Sequence, residues 1–253
     1  MTQAITNQIP ATNPVPTTPA RPKRALAVTA AVLFIILGIA WYIGAFGGNV
    51  RVVSPGHVFR SAQLTGNGIG AMTACWTGHG LEQVMKANGI KTVLNLRGGN
   101  AQNGWYREEL ETCARMGAAH VDVSMSAVRE PNPIQLARVL ATFDHARYPL
   151  LYHCQGGSDR SGLVGTFYLN VYEGVPLDEA EHRQLTMRYA HFSFTRTGAM
   201  DKFFEMYRQT RQGLTLRQWI TTIYPSLYAK LPESEKSGPP TAAERLTDIS
   251  VQK

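Results

Sequence analysis

The stretch that most constrains this chain runs from Tyr148 to Tyr172, where an apolar run, a polar loop and a long apolar segment follow without a break. Tyr148 to Tyr152 reads as a buried strand. Leu163 to Tyr172 is apolar nearly all round and too long for a typical strand, which predicts a buried helix. Between them lies His153-Cys154-Gln155-Gly156-Gly157-Ser158-Asp159-Arg160-Ser161-Gly162. A tight loop from a strand end to a helix start aims backbone N–H groups and the positive end of the helix dipole at one point. That point favours an anion. Cys154 opens the loop and Arg160 closes it, so a thiol and a guanidinium are predicted to face the same cradle.

The chemistry follows from that placement. A free thiol with a pKa near ~8.5 is only slightly ionised at neutral pH, and the thiolate is the nucleophile. Loop amides, the helix terminus and Arg160 all favour the charged form, at ~1.4 kcal/mol per pKa unit. The same donors, from Gln155, Gly156, Gly157, Ser158, Asp159, Arg160 and Ser161, would hold the oxygens of a phosphoryl group. Arg160 offers a bidentate fork that Lys does not reproduce. The Ser161 hydroxyl would donate to the sulfur as it leaves.

His153-Cys154, five residues and Arg160-Ser161, with Gly157 third after the cysteine, resembles the signature loop of the cysteine-dependent protein tyrosine and dual-specificity phosphatases. The ending Asp159-Arg160-Ser161-Gly162 is similar to the compact dual-specificity-like branch. Phe59-Arg60-Ser61-Ala62-Gln63 and Gly89 through Arg97 fit the same branch. The resemblance implies a phosphocysteine intermediate on Cys154, phosphate held by Arg160 and the loop amides, and hydrolysis by water. A rhodanese-like sulfurtransferase also sets a cysteine loop before a helix, but its loop is shorter and does not close with Arg-Ser-Gly.

The resemblance also calls for an acid to protonate the leaving oxygen, on a loop about thirty residues before the cysteine. The matching loop, Ser126 to Pro133, holds one carboxyl, Glu130. Asp159 within the phosphate loop and Asp122 near a strand end remain as alternatives. His153 is expected as a buried partner that sets the loop and the thiol. Arg97, ending a strand, reads as an exposed charge, and Arg188, His191 and Arg196 as a solvated face, with a place flanking substrate as the alternative. No His/Cys grouping has metal-ligand spacing, so neither metal nor cofactor is implied.

Ahead of the catalytic region, residues 1–24 begin with an uncharged Pro, Thr, Asn and Gln-rich stretch that predicts disorder. Arg21, Lys23 and Arg24 precede residues 25–48, which carry no charge. At ~1.5 Å per residue, about 22 of them span ~33 Å, enough for a hydrocarbon core of ~30 Å. The expectation is a single transmembrane helix, with a cleaved signal peptide as the alternative. The basic cluster would keep the N-terminus cytoplasmic and set the catalytic domain outside, in the periplasm of a bacterium. The remaining residues carry 22 basic against 18 acidic side chains with no interleaved basic and aromatic stripe, which argues against nucleic acid as partner.

Elsewhere, strands alternate with helices. Ser54-Pro55-Gly56 turns an entry strand pair, and Leu81 to Asn88 reads as a helix before a strand at Lys91 to Leu96. Trp105 to Met116 is spaced as a helix with Trp105, Leu110 and Cys113 inward and its glutamates outward. Asn132-Pro133 caps another helix, with Leu136, Val139, Leu140 and Phe143 buried. The fold class is therefore α/β, and the resemblance implies a central mixed, mostly parallel sheet flanked by helices, here behind a transmembrane segment. The phosphatase domain is assigned to residues 50–231, ending in three helical stretches over Pro176–Ala190, Phe192–Gly213 and Leu214–Leu231, with a disordered tail over 232–253. In an oxidising compartment Cys75 and Cys113 would pair, sparing Cys154; buried free thiols are the other possibility. The partner is a phosphorylated protein or a phospholipid, or the loop is an inert phosphate-binding module.

Overall fold

In the computed structural model the described residues are 22–66 and 80–241, with side chains of the first helix described over 26–39. The expected disorder of the extreme N-terminus, Cys75 and the end of the tail lie outside them. The chain divides into two units, Met1–Tyr42 and Ile43–Lys253.

Helix α1 runs Pro22–Phe46. Among the described residues no helix is long and apolar enough to cross a membrane. The expected transmembrane helix is corrected on this ground, and with it the single-pass localisation and the membrane as a partner.

In the second unit, β1 (Arg51–Ser54) and β2 (Val58–Ser61) form an antiparallel hairpin closed by the His57 N–H donating to Ser54 O at 3.0 Å. There follow α2 (Leu81–Asn88), β3 (Thr92–Asn95), α3 (Gly104–Arg115), β4 (Ala119–Asp122), α4 (Pro133–His145) and β5 (Leu150–His153). The sheet order is β1-β2-β5-β3-β4, with every pairing beyond the hairpin parallel. This is a mixed α/β sheet. Strand β5 lies at its centre and is buried throughout, as parallel strands covered on both faces must be. Its register sets Ser61 and Asn95 level with His153, so the loops after β2, β3 and β5 open along one edge.

Helix α5 (Asp159–Tyr172) leaves that edge and is buried from Ser161 to Leu169. Then come α6 (Leu177–Gln184), α7 (Ala199–Thr210), α8 (Leu216–Thr222) and α9 (Tyr224–Lys230), with short 3-10 turns at Met187–Tyr189 and Arg196–Gly198. The single helix read over Leu214–Leu231 is two, because Pro225 begins a new helix rather than continuing one. On one face α4, α5 and α7–α9 pack Phe143, Phe167, Phe203, Phe204, Trp219 and Tyr224 against the sheet. On the other, α2 and α3 close a smaller cluster of Leu81, Val84, Met85, Val93 and Leu151.

Two local readings meet different outcomes. In α4 the Ile134 N–H donates to Asn132 Oδ1 at 2.9 Å, and Leu136, Val139, Leu140 and Phe143 are buried as spaced. In α3 the buried face is instead Tyr106, Glu109, Thr112 and Cys113, with Leu110 exposed. A carboxylate takes an inward position there because two histidines reach it, a pairing that apolar spacing cannot show.

The segment after α9 does not hang free as far as residue 241. The Glu130 N–H donates to Glu235 O at 2.8 Å, and the Ser237 N–H donates to Glu130 O at 3.0 Å. The Glu130 carboxyl is 3% exposed, with Oε2 lacking a partner. Burial raises its pKa to about 7, with Lys202 acting against the rise and Glu235 adding to it. A carboxyl whose pKa is raised on folding stabilises the native state fully below its unfolded value and loses that contribution as pH rises through the folded one. Stability should therefore fall between pH ~4.5 and ~7. Glu130→Gln is expected to flatten this dependence and raise the melting temperature at pH 8 but not at pH 4, measured by calorimetry across that range.

Candidate active site

The loop between β5 and α5 is held from outside by its carbonyl oxygens. The Gln63 N–H donates to Gln155 O at 3.3 Å. Asn49 Nδ2 donates to the carbonyls of Gly156 and Gly157 at 3.1 and 3.0 Å. Arg60 Nη2 donates to those of Gly157 and Ser158 at 2.6 and 3.0 Å. Because a peptide unit is planar and trans, a carbonyl tied outward turns the following N–H the other way. The amides of the loop therefore face inward, and those of Gly157 and Ser161 reach the Cys154 sulfur.

Gly157 makes this path possible. Its φ is +67°, and a Cβ there would lie 2.6 Å from the Ala62 N and 2.7 Å from the Ser61 carbonyl carbon. The loop presses against the end of β2 too closely for any side chain.

Arg60 is the prop. It is fully buried although it sits within a strand, and its other nitrogen, Nη1, donates to Gln184 O at 3.0 Å and Gln184 Oε1 at 2.7 Å. Gln184 ends α6, which approaches α5 closely because a Cβ on Gly165 would fall 2.5 Å from Gln184 Oε1. The Tyr189 ring covers the guanidinium at 4.8 Å. Burial pulls the Arg60 pKa down, and the charges of Tyr152, Cys154, Tyr189 and Asp159 act against that pull.

At the floor of the loop the Cys154 thiol is 2% exposed. Burial pushes its pKa up, but the Arg160 guanidinium, the Ser161 hydroxyl and the Ser161 and Gly157 amides outweigh it and hold the thiol below its ordinary range. The Ser161 hydroxyl is buried and has no other partner than that sulfur. Arg160 Nη1 donates to Met125 O at 3.1 Å and Leu96 O at 3.4 Å, which fixes the guanidinium across the ends of two neighbouring strands. Its Nε is a buried donor without a partner among the described residues.

Arg97 is not the exposed charge the sequence suggested. It is half-buried, stacks 4.1 Å above the Trp105 ring and lies in the field of Arg160 and Cys154. Burial and then the like charge of Arg160 lower its pKa. His153 sits as expected, buried beside Cys154. Its Nε2 lies 3.0 Å from Glu109 Oε2, and His120 Nε2 lies 2.8 Å from Glu109 Oε1. Burial would raise the Glu109 pKa, yet His153 and His120 hold it down at about 2. Cys113, a buried free thiol, is pushed up to about 12 by burial and by Glu109 and Asp122.

The three carboxyls weighed as acids lie apart. Asp122 accepts from Asn95 Nδ2 at 2.7 Å and from the Tyr106 hydroxyl at 2.5 Å, which occupies both oxygens. Glu130 is set among Lys202, Tyr224 and Glu235. Only Asp159 stands in the loop, where its Oδ1 faces His191 Nδ1 at 2.8 Å and Ser158 Oγ lies 3.4 Å from its Oδ2. Arg196 lines a cavity of about 340 Å³ with Glu130 and Lys202. No group of His, Cys, Asp and Glu suited to a metal occurs among the described residues. Sequence reasoning missed the work of Asn49, Arg60, Glu109 and Gln184. An arginine inside an otherwise apolar strand, Val58-Phe59-Arg60, was the available signal for the prop.

No family model and no curated relative matches the sequence. Among solved structures, the chain is similar to human DUSP28, at 17% identity over 64% of this chain and 97% of that one, with a TM-score of 0.42. It is similar to Tk-PTP in the active form, at 19% over 62% and 96% with a TM-score of 0.43. It is similar also to the core catalytic domain of the PP-IP phosphatase SIW14 from S. cerevisiae, at 15% over 64% and 93% with a TM-score of 0.45. DUSP28, Tk-PTP and SIW14 are cysteine-dependent phosphatases of the tyrosine or dual-specificity-like type. What the site can do chemically follows from its own atoms.

Gly157→Ala is expected to fold but to bind oxyanions at least a hundredfold more weakly, since an αL alanine costs about 1–3 kcal/mol and the loop must move. Arg60→Lys, which loses the fork, should lower stability by about 2–3 kcal/mol. Titration with vanadate and chemical denaturation check the two outcomes.

Proposed function

We propose that this chain is a cysteine-dependent phosphomonoester hydrolase acting on phosphotyrosine-like aryl esters. The observation that carries the reading is the shared nest: the sulfur of Cys154 with the Gly157 and Ser161 amides and the Arg160 guanidinium around it. An anion-stabilising site that contains its own nucleophile suits attack on phosphorus by thiolate.

In the first step the Cys154 thiolate bonds to phosphorus as the ester P–O bond breaks, and the departing aryloxide takes its proton from solvent water. The inward amides and Arg160 bind the equatorial oxygens, whose charge they meet in a nearly dry setting. Water then attacks the phosphocysteine, inorganic phosphate departs, and the sulfur leaves as thiolate with the Ser161 hydroxyl donating to it.

The leaving group sets the preference. Asp122 has both oxygens engaged, Glu130 stands with the C-terminal segment, and Asp159 accepts from His191. A phenol leaves with less help from an acid than an aliphatic alcohol does, so aryl phosphates are favoured over phosphoserine. The exposed loop positions Gln155 and Gly156 are uncharged, which suits a singly phosphorylated group better than a polyphosphorylated inositol.

The full chain should hydrolyse p-nitrophenyl phosphate and be inhibited by vanadate. Cys154→Ser is expected to lose at least ten-thousandfold in turnover, Glu130→Gln less than tenfold, and phosphotyrosine peptide should exceed phosphoserine peptide by at least a hundredfold in kcat/KM. Wild type without turnover would leave only phosphate binding, and turnover surviving in Cys154→Ser would remove the mechanism. Faster release of phosphate from phosphoinositide vesicles than from peptide would shift the substrate class.

A further inference from the structure

Beside the phosphate loop lies a side chain that the chemistry above does not use. His191 is 2% exposed and follows the 3-10 turn Met187–Tyr189, where its N–H donates to Thr186 O at 3.2 Å. Its Nδ1 lies 2.8 Å from Asp159 Oδ1 and its Nε2 lies 2.9 Å from Asp201 Oδ2. Asp159 comes from the first turn of α5, immediately before Arg160, and Asp201 from the first turn of α7. Among the described residues these are the charged groups that face the ring.

An ionised carboxylate only accepts hydrogen bonds, and a neutral imidazole carries one N–H. With a carboxylate on each ring nitrogen, both bonds require both protons. The ring is therefore an imidazolium buried between two anions, one of which belongs to the phosphate loop. The arrangement also answers a problem raised by the loop itself. A carboxylate next to Arg160 repels an incoming phosphate dianion and competes for its guanidinium. A buried cation bonded to that carboxylate cancels the repulsion and turns the carboxylate toward α7.

We propose that His191 is a positioning residue of the phosphate loop: as an imidazolium tied to Asp201, it holds and neutralises Asp159, so that Arg160 and the loop amides remain available to an oxyanion. The inference rests on the reading of the loop as an oxyanion site and adds to it a device that keeps the loop's own acid from opposing the substrate. Asp159 belongs to the electrostatics of binding, and His191 acts through it without touching substrate.

The test is binding of inorganic tungstate, whose charge is constant over the range used, to the full chain carrying Cys154→Ser, so that thiol titration does not enter. Although burial lowers the His191 pKa, Asp159 and Asp201 raise it to about 9, so the imidazolium is present below that pH and lost above it. Tungstate affinity should fall about tenfold as pH passes through about 9. With His191→Asn added, affinity should already be about tenfold weaker at pH 7.5 and show no step. Adding Asp159→Asn to that protein should recover most of the loss, because the uncompensated charge is gone. Asp201→Asn, which leaves the histidine in place, should move the step to lower pH.

A step near pH 9 that persists in His191→Asn, or a loss that Asp159→Asn does not recover, overturns the proposal while leaving the oxyanion site standing. Should His191→Asn fail to fold, an unmoved step in Asp201→Asn overturns it equally. Absence of tungstate binding at every pH removes the oxyanion site and the proposal together.

Discussion

The arrangement depends on where four carbonyl oxygens point. Those of Gln155, Gly156, Gly157 and Ser158 are drawn outward by Gln63, Asn49 and Arg60. Peptide planarity then turns the intervening amides the other way, and that of Gly157 reaches the Cys154 sulfur. Arg60 carries most of this. Burying a guanidinium is costly unless its donors are satisfied. Both its terminal nitrogens are, by two loop carbonyls and by Gln184 at the end of α6. The cost of burial is offset by the bonds that shape the loop.

Charge follows geometry. Arg60, Arg97 and Arg160 all lie in the field of the thiol, and His191 bonds to Asp159, the residue before Arg160. Against them the described structure sets Glu109 beneath His153, and Asp159 beside Arg160. The thiol is almost fully buried, which alone would keep it protonated, so its lowered pKa depends on the Arg160 guanidinium, the Ser161 hydroxyl and two amides. In the proposed reaction the same donors would hold the phosphoryl group.

Much of this was legible in the chain. Strand, loop and buried helix around Cys154, the Asn132 cap, and the alternation of strands and helices all came from local pattern, because each is a statement about neighbours in sequence. The acid was not legible. Glu130 lies on the expected loop, yet a segment more than a hundred residues later pairs with its backbone. In α3, helical spacing put Leu110 inside and Glu109 outside, and the reverse holds because His120 and His153 converge on that carboxylate. An uncharged run suggested a membrane span, while among the described residues no helix is long and apolar enough for one.

By itself, then, the sequence determined the thiol, the guanidinium and the loop that joins them, since a strand end, glycines and a helix start within one short stretch leave few other ways for the backbone to run. Only the tertiary structure decided which distant side chains complete that cradle. Asn49, Arg60, Gln184 and His191 meet it because parallel strands bring their ends to one edge and α6 and α7 pack against α5. Such contacts cross up to a hundred residues and more, where hydrogen-bond geometry and burial, rather than the residue type alone, settle what each side chain does.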